Sequence, residues 1–177
     1  MMMGNKEKRF YAEAVHLLLA LKRTKDGEKS FCIRQVVKDY YLDLRILVSK
    51  LKIMGGTWRI YKTVNKRDCA KAMKWLMKKM IDHPEIASSI DSWWRTALLQ
   101  RDCIYGEKRF LIDIDTEDTD KRAEVIKYIN MPIIESQTTP NGHHIVVDKF
   151  DTRGLTELFP YVEILRDGYI FQERIYG

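Results

Sequence analysis

Apolar side chains recur at helical spacing over residues 8–22, and Ala14-Val15-His16-Leu17-Leu18-Leu19-Ala20-Leu21 is the longest apolar-rich run of the chain. The pattern predicts a buried helix, with Thr24-Lys25-Asp26-Gly27 as turn chemistry at its end. β-Branched residues in Phe31-Cys32-Ile33-Arg34-Gln35-Val36-Val37 predict a strand. A helix is expected from Asp43 to Met54, stopped by Gly55-Gly56. Thr57 to Val64 alternates as a half-buried strand does. Lys66 to Asp82 is basic and amphipathic, and Pro84 opens a shorter helix expected through Gln100.

The second part of the chain reads differently. Arg109-Phe110-Leu111-Ile112-Asp113-Ile114-Asp115 is an apolar strand ending in acids. Thr116 or Thr119 is the expected cap of a helix through Asn130, with acids in its first turn as the helix dipole prefers. Met131 to Gln137 and His143 to Asp148 predict a hairpin around Thr138-Thr139-Pro140-Asn141-Gly142. Residues 152–159 predict a short helix, and Tyr161 to Leu165 is expected to pair with Tyr169 to Gln172 across Arg166-Asp167-Gly168. Strands mixed with helices and hairpins predict an α/β or α+β fold, a mixed sheet covered by helices. No internal repeat or low-complexity linker interrupts the pattern, and 177 residues fit a single domain, 1–177.

Composition narrows the class. No apolar run approaches the roughly 18–20 residues that a membrane span needs, and Lys22-Arg23 stands where a secretory signal would place a small-residue cleavage site. Cys32, Cys69 and Cys103 are widely spaced and include no C-x-x-C pair, so reduced thiols in a cytoplasm are expected rather than disulfides or a zinc knuckle. The net charge of +6 is uneven: residues 1–80 hold 20 Lys and Arg against 7 Asp and Glu, whereas residues 81–177 hold 11 against 18. A basic helical and strand half, 1–100, thus precedes an acidic half, 101–177. Basic faces attract polyanions through counterion release, although lysine-rich helices also simply solvate their outer faces.

Candidate chemistry follows from strand alternation. Phe110, Ile112 and Ile114 point one way, and Leu111, Asp113 and Asp115 the other. Two carboxylates on one strand face repel, and a divalent cation relieves that repulsion; Mg²⁺ typically takes one or two carboxylates, waters and substrate phosphates. After the Pro140-Asn141-Gly142 turn, His144 shares a face with Val146 and Asp148, and glycine there admits a close backbone approach. His143 reads as a half-buried hairpin residue, and His16 and His83 as helix or loop residues. Glu163 projects from the apolar segment Val162-Glu163-Ile164; Asp167 is the competing third acid, but an Asp-Gly turn needs no chemical reason for it. Asn65, Lys66 and Arg67 open the basic helix, where free N–H groups attract phosphate. Trp93-Trp94 could stack a base, but within a helical segment they read as core anchors.

An apolar strand ending in Asp113-Ile114-Asp115, the Gly142-His143-His144 hairpin and the apolar-flanked Glu163 together resemble the three motifs of the archaeo-eukaryotic primase superfamily, which includes primase-polymerases. The layout is also similar to small phage-encoded primase-like proteins, for which a host cytoplasm would be the setting. The resemblance covers roughly residues 57–172 and rests on a handful of positions. It implies that Asp113, Asp115 and Glu163 hold catalytic Mg²⁺ or Mn²⁺, that His144, Gly142, Asn141 and Thr139 meet a nucleoside triphosphate, and that Asn65, Lys66 and Arg67 meet a single-stranded DNA or RNA template. The pattern departs from the family in having glycine where Ser-x-His is usual and glutamate where aspartate is usual. The implied activity is metal-dependent nucleotidyl transfer; a metal-dependent nuclease and a non-catalytic nucleotide- or nucleic-acid-binding module are the alternatives.

Overall fold

The computed structural model describes residues 13–24 and 29–176, and within them the first apolar run is a strand, not a helix. β1 (Ala14–Arg23) lies inside a sheet, antiparallel to β2 (Lys29–Val37) on one side and β3 (Thr57–Thr63) on the other. Both of its faces are covered. Leu18 and Ala20 pack with Leu47 and Leu51 of α1 (Tyr40–Met54), while Val15 and Leu17 pack with α2 (Cys69–Asp82) and α3 (Ile90–Leu98). A strand buried on both faces carries apolar residues at consecutive positions, which erases the period-two signal. Residues 8–12 of the expected helix and 25–28 around the expected turn lie outside the described residues.

Local capping moves several expected boundaries. α1 starts at Tyr40 because Asp39 caps it, its carboxylate accepting from the Leu42 N–H at 3.1 Å. Asp43, the expected start, instead accepts from the N–H groups of Lys38 and Asp39. Gly55 ends the helix at φ 64°, a conformation that favours glycine, and returns its N–H to Leu51 O at 3.1 Å. Asp68 caps α2, so that helix begins at Cys69 rather than Lys66, and Arg67–Asp68 forms the short strand β4 against β1. The segment after Pro84 is a 3₁₀ turn, Pro84–Ser89, before α3 begins. Trp93 stacks on Trp75 in the cluster that α2 and α3 share.

The single mixed sheet of the sequence reading is replaced by two antiparallel sheets in an α+β arrangement. The second sheet contains β5 (Arg109–Ile114), β6 (Glu135–Thr139), β7 (Gly142–Asp148) and β8 (Val162–Leu165) in the order β6-β7-β5-β8. α4 (Thr119–Ile129) and α5 (Leu155–Leu158) cover one of its faces, burying Phe110, Ile112 and Ile114 with Val125 and Leu155. Asp118, rather than Thr116 or Thr119, caps α4. The hairpin strand begins at Glu135, later than expected, because Pro132 precedes it with no N–H to give a ladder.

The expected pairing of Tyr161–Leu165 with Tyr169–Gln172 does not form. β8 joins β5, and β9 (Tyr169–Ile175) crosses over to β3 in the first sheet. Asp167 explains the failure of the Asp-Gly turn signal. Its carboxylate takes a bidentate contact from Arg67, at 2.7 and 2.9 Å, and a further hydrogen bond from Asn65 Nδ2. That corner pins the crossover between the sheets, whose common apolar seam is Val64, Leu111, Val146 and Ile170.

Candidate functional site

Beyond the seam the two sheets diverge, and the face of β5 passes from apolar to acidic. Leu111 is fully buried, Asp113 is partly exposed and Asp115 is exposed. The register places Asp113 between His144 of β7 and Glu163 of β8. Residues directly opposite one another in a ladder share a face, so Gln137, His144, Asp113 and Glu163 form one row across four strands. Glu163 is exposed, which leaves its carboxylate free of the core beneath. Asp167, the competing acid, is committed to Arg67.

His144 is held in one tautomer. The Phe171 N–H donates to its Nδ1 at 3.1 Å, so Nδ1 bears the lone pair and the proton of the neutral ring sits on Nε2. Nε2 lies 3.4 Å from Asp113 Oδ1. His144 is only 7% exposed, so it presents a fixed N–H donor at the edge of the acid row. His143 points to the other face of β7, where its Nε2 meets Ser136 Oγ at 2.7 Å. Burial, followed by the charge of Arg122, holds the His143 imidazole below its ordinary value.

A cleft of about 450 Å³ separates the acids from the first sheet. Asp113, Asp115 and His144 line it from one side, with Thr139 and Asn141 at the hairpin tip. Leu19, Leu21, Arg59 and Tyr61 line the opposite wall, and Tyr169 and Phe171 of β9 form its floor. Arg59 lines the same cleft as the carboxylates, and its Nε is buried without a hydrogen-bond partner among the described residues. Burial raises the Tyr169 phenol above its ordinary value. Arg59 and Tyr61 escaped the sequence reading, although alternation along Thr57–Thr63 already sets them opposite Trp58 and Ile60.

The remaining candidates divide. Gly142 has a structural reason to be glycine: a Cβ there would lie 2.1 Å from Ile114 O and 3.1 Å from the Asp115 Cα, so the hairpin leans on the end of β5 because the side chain is missing. The serine usual at this position of the resembling motif would meet the same obstacle. Asn65 and Arg67 are turned inward, 2% and 1% exposed, and bind Arg109 backbone and Asp167 rather than facing a template. Lys66 alone of those three is exposed. The N-terminus of α2, expected to attract phosphate, is occupied by the Asp68 carboxylate.

Among the described residues, no three His, Cys, Asp or Glu side chains converge as a ready metal cage. Asp113 and Asp115 on one face fit the other mode of Mg²⁺ binding, in which one or two carboxylates act with water and substrate phosphate. No helix of the described residues is long and apolar enough to cross a membrane. No family model, curated protein or solved structure matches the chain.

Proposed function

We propose that the protein is a metal-dependent nucleotidyltransferase acting on a nucleic-acid template, a minimal primase or polymerase with a primase-polymerase-like core. The observation that carries this reading is the register that sets Asp113 between His144 and Glu163, with Asp113, Asp115, His144 and Arg59 lining one cleft. Asp113 and Asp115 would hold Mg²⁺ or Mn²⁺ together with the phosphates of a nucleoside triphosphate, and Glu163 is the third carboxylate on that face. The metal would supply Lewis-acid stabilisation of charge on the phosphate oxygens. Arg59 and His144 would donate to the same polyphosphate, and Thr139 and Asn141, which line the same cleft, would border it at the hairpin tip. In the reaction a primer 3′-hydroxyl would lose its proton to solvent water, and its oxygen would form a bond to the α-phosphorus. The bond from that phosphorus to the α–β bridging oxygen would break, and pyrophosphate would leave with that oxygen.

The test is primer synthesis and extension with labelled NTPs or dNTPs, single-stranded templates and Mn²⁺, run beside a folded Asp113→Asn/Asp115→Asn variant. Product that falls at least about hundredfold in the variant is expected, since the lost metal contact is worth several kcal/mol in the transition state. Undiminished product would sink the assignment. Glycine at Gly142, where the resembling motif has serine, removes a hydroxyl contact to triphosphate and favours one alternative, a nucleotide- or nucleic-acid-binding module without turnover. That alternative is reached if nucleotide binds, chelator has no effect and no product appears. Shortening of the strand without added nucleotides would instead identify a nuclease.

A further inference from the structure

A second groove, of about 730 Å³, lies beside the β8 edge of the second sheet. Leu165 and Asp167 line both this groove and the acid-lined cleft, so the two adjoin at the Asp167 corner. Four separate segments bring cations to it: Arg101 from the 3₁₀ turn Arg101–Cys103, Lys108 from the approach to β5, Lys149 from the end of β7, and Arg166 from the crossover. All four are exposed. The two acids in the groove are spoken for, since Asp151 pairs with Arg153 and Asp167 with Arg67. Among the described residues none of the four cations enters an ion pair. Lys149 N donates to Lys108 O at 3.1 Å, which holds two of these segments side by side.

Like charges gathered from four segments repel, and nothing in the core requires them there. A polyanion laid along the groove removes that repulsion and releases counterions. The half-buried ring of Phe150, packed near Phe110 in the same groove, offers a face for stacking that a phosphate-only ligand would not use. We propose that this groove seats a single-stranded polynucleotide, whose backbone passes from it around Asp167 to the cleft. The identity of the polyanion rests on the nucleotidyl-transfer reading; the existence of an anion path rests on the groove alone.

The experiment uses the full chain and a fluorescent oligodeoxythymidylate or oligouridylate, titrated over a range of salt in chelator and without nucleotides. Lys108→Ala/Lys149→Ala/Arg166→Ala is compared with Lys50→Ala/Lys52→Ala/Lys78→Ala, which removes equal charge from exposed positions of α1 and α2. Circular dichroism and thermal melting establish that both variants are folded. The groove variant is expected to bind about tenfold or more weakly, with a salt slope shallower by about 2, because each single-strand phosphate contact contributes about 0.7. The helix variant is expected to stay near the parent protein. Equal weakening in both variants, or no weakening in the groove variant, overturns the proposal. So does displacement of the oligonucleotide by polyglutamate as readily as by unlabelled oligonucleotide. Because binding is read without metal or nucleotide, loss of this proposal leaves the catalytic test standing, and a failed extension assay leaves this one standing.

Discussion

Two clusters of charged residues lie within one cleft wall of each other and are built on opposite terms. In the Asn65–Arg67–Asp167 corner the carboxylate is spent inside the protein: the guanidinium, 1% exposed, meets it at both oxygens through its terminal nitrogens, Asn65 bridges it to the Arg109 backbone, and only the Arg67 Nε is left without a hydrogen-bond partner among the described residues. In the row around Asp113 the partners are few. Asp113, Asp115 and Glu163 share a face, the His144 Nε2 stands 3.4 Å from Asp113 Oδ1, and among the described residues no ion pair reaches Asp115 or Glu163. A carboxylate committed to buried partners marks the first cluster as a joint. The second has charge left over, which is what a ligand can use.

That contrast is most directly broken by exchanging substitutions. Asp167→Ala leaves Arg67 buried and unpaired, and is expected to cost about 3–5 kcal/mol in urea unfolding, whereas Asp113→Asn is expected to stay within about 1 kcal/mol because it also relieves repulsion. Equal costs would mean that the acid row is structural too.

A smaller effect separates the histidines of the two sheets. His16, hydrogen-bonded through Nδ1 to Thr63, is lowered to about 4 by burial first and then by the charge of Lys62. An unfolded histidine titrates near 6.5, so between about pH 6.5 and 4 the unfolded chain takes up a proton that the fold excludes. Stability is therefore full above that window and falls as pH drops through it, by up to about 3 kcal/mol. His16→Asn should flatten that part of the pH–stability curve; an unchanged curve would refute the assignment. Smaller again, Gly142→Ala is expected to cost about 1–3 kcal/mol, because its new methyl meets Ile114 O. Thermal melting reads this directly.

How much of this was legible beforehand depended on whether a signal was local. Alternation along Arg109–Ile114 was enough to set Asp113 apart from Ile112 and Ile114, and Pro140-Asn141-Gly142 was enough for the hairpin. Both features are decided by residues adjacent in sequence. β1 was misread because burial on both faces is a property of its neighbours, not of its own pattern. The β8–β9 hairpin failed for a related reason: Arg67 and Asn65, distant in sequence, outweigh an Asp-Gly turn preference. They also removed themselves from the expected template surface by doing so. The far wall of the cleft was invisible because Arg59 and Tyr61 gain meaning only when β9 lays Tyr169 and Phe171 beside them.

The crossover at Arg166–Gly168 also has a consequence for the order of assembly. β3 lies early in the chain, yet one of its two ladders is with β9, which leaves the ribosome after every other strand described. Until then β3 exposes an unpaired edge, Phe171 cannot fix the His144 ring, and the cleft has no floor. Pairings so distant in sequence form slowly, since the intervening chain must first be ordered. Nascent chains of this protein thus complete the acid-lined cleft last, when β9 pairs with β3.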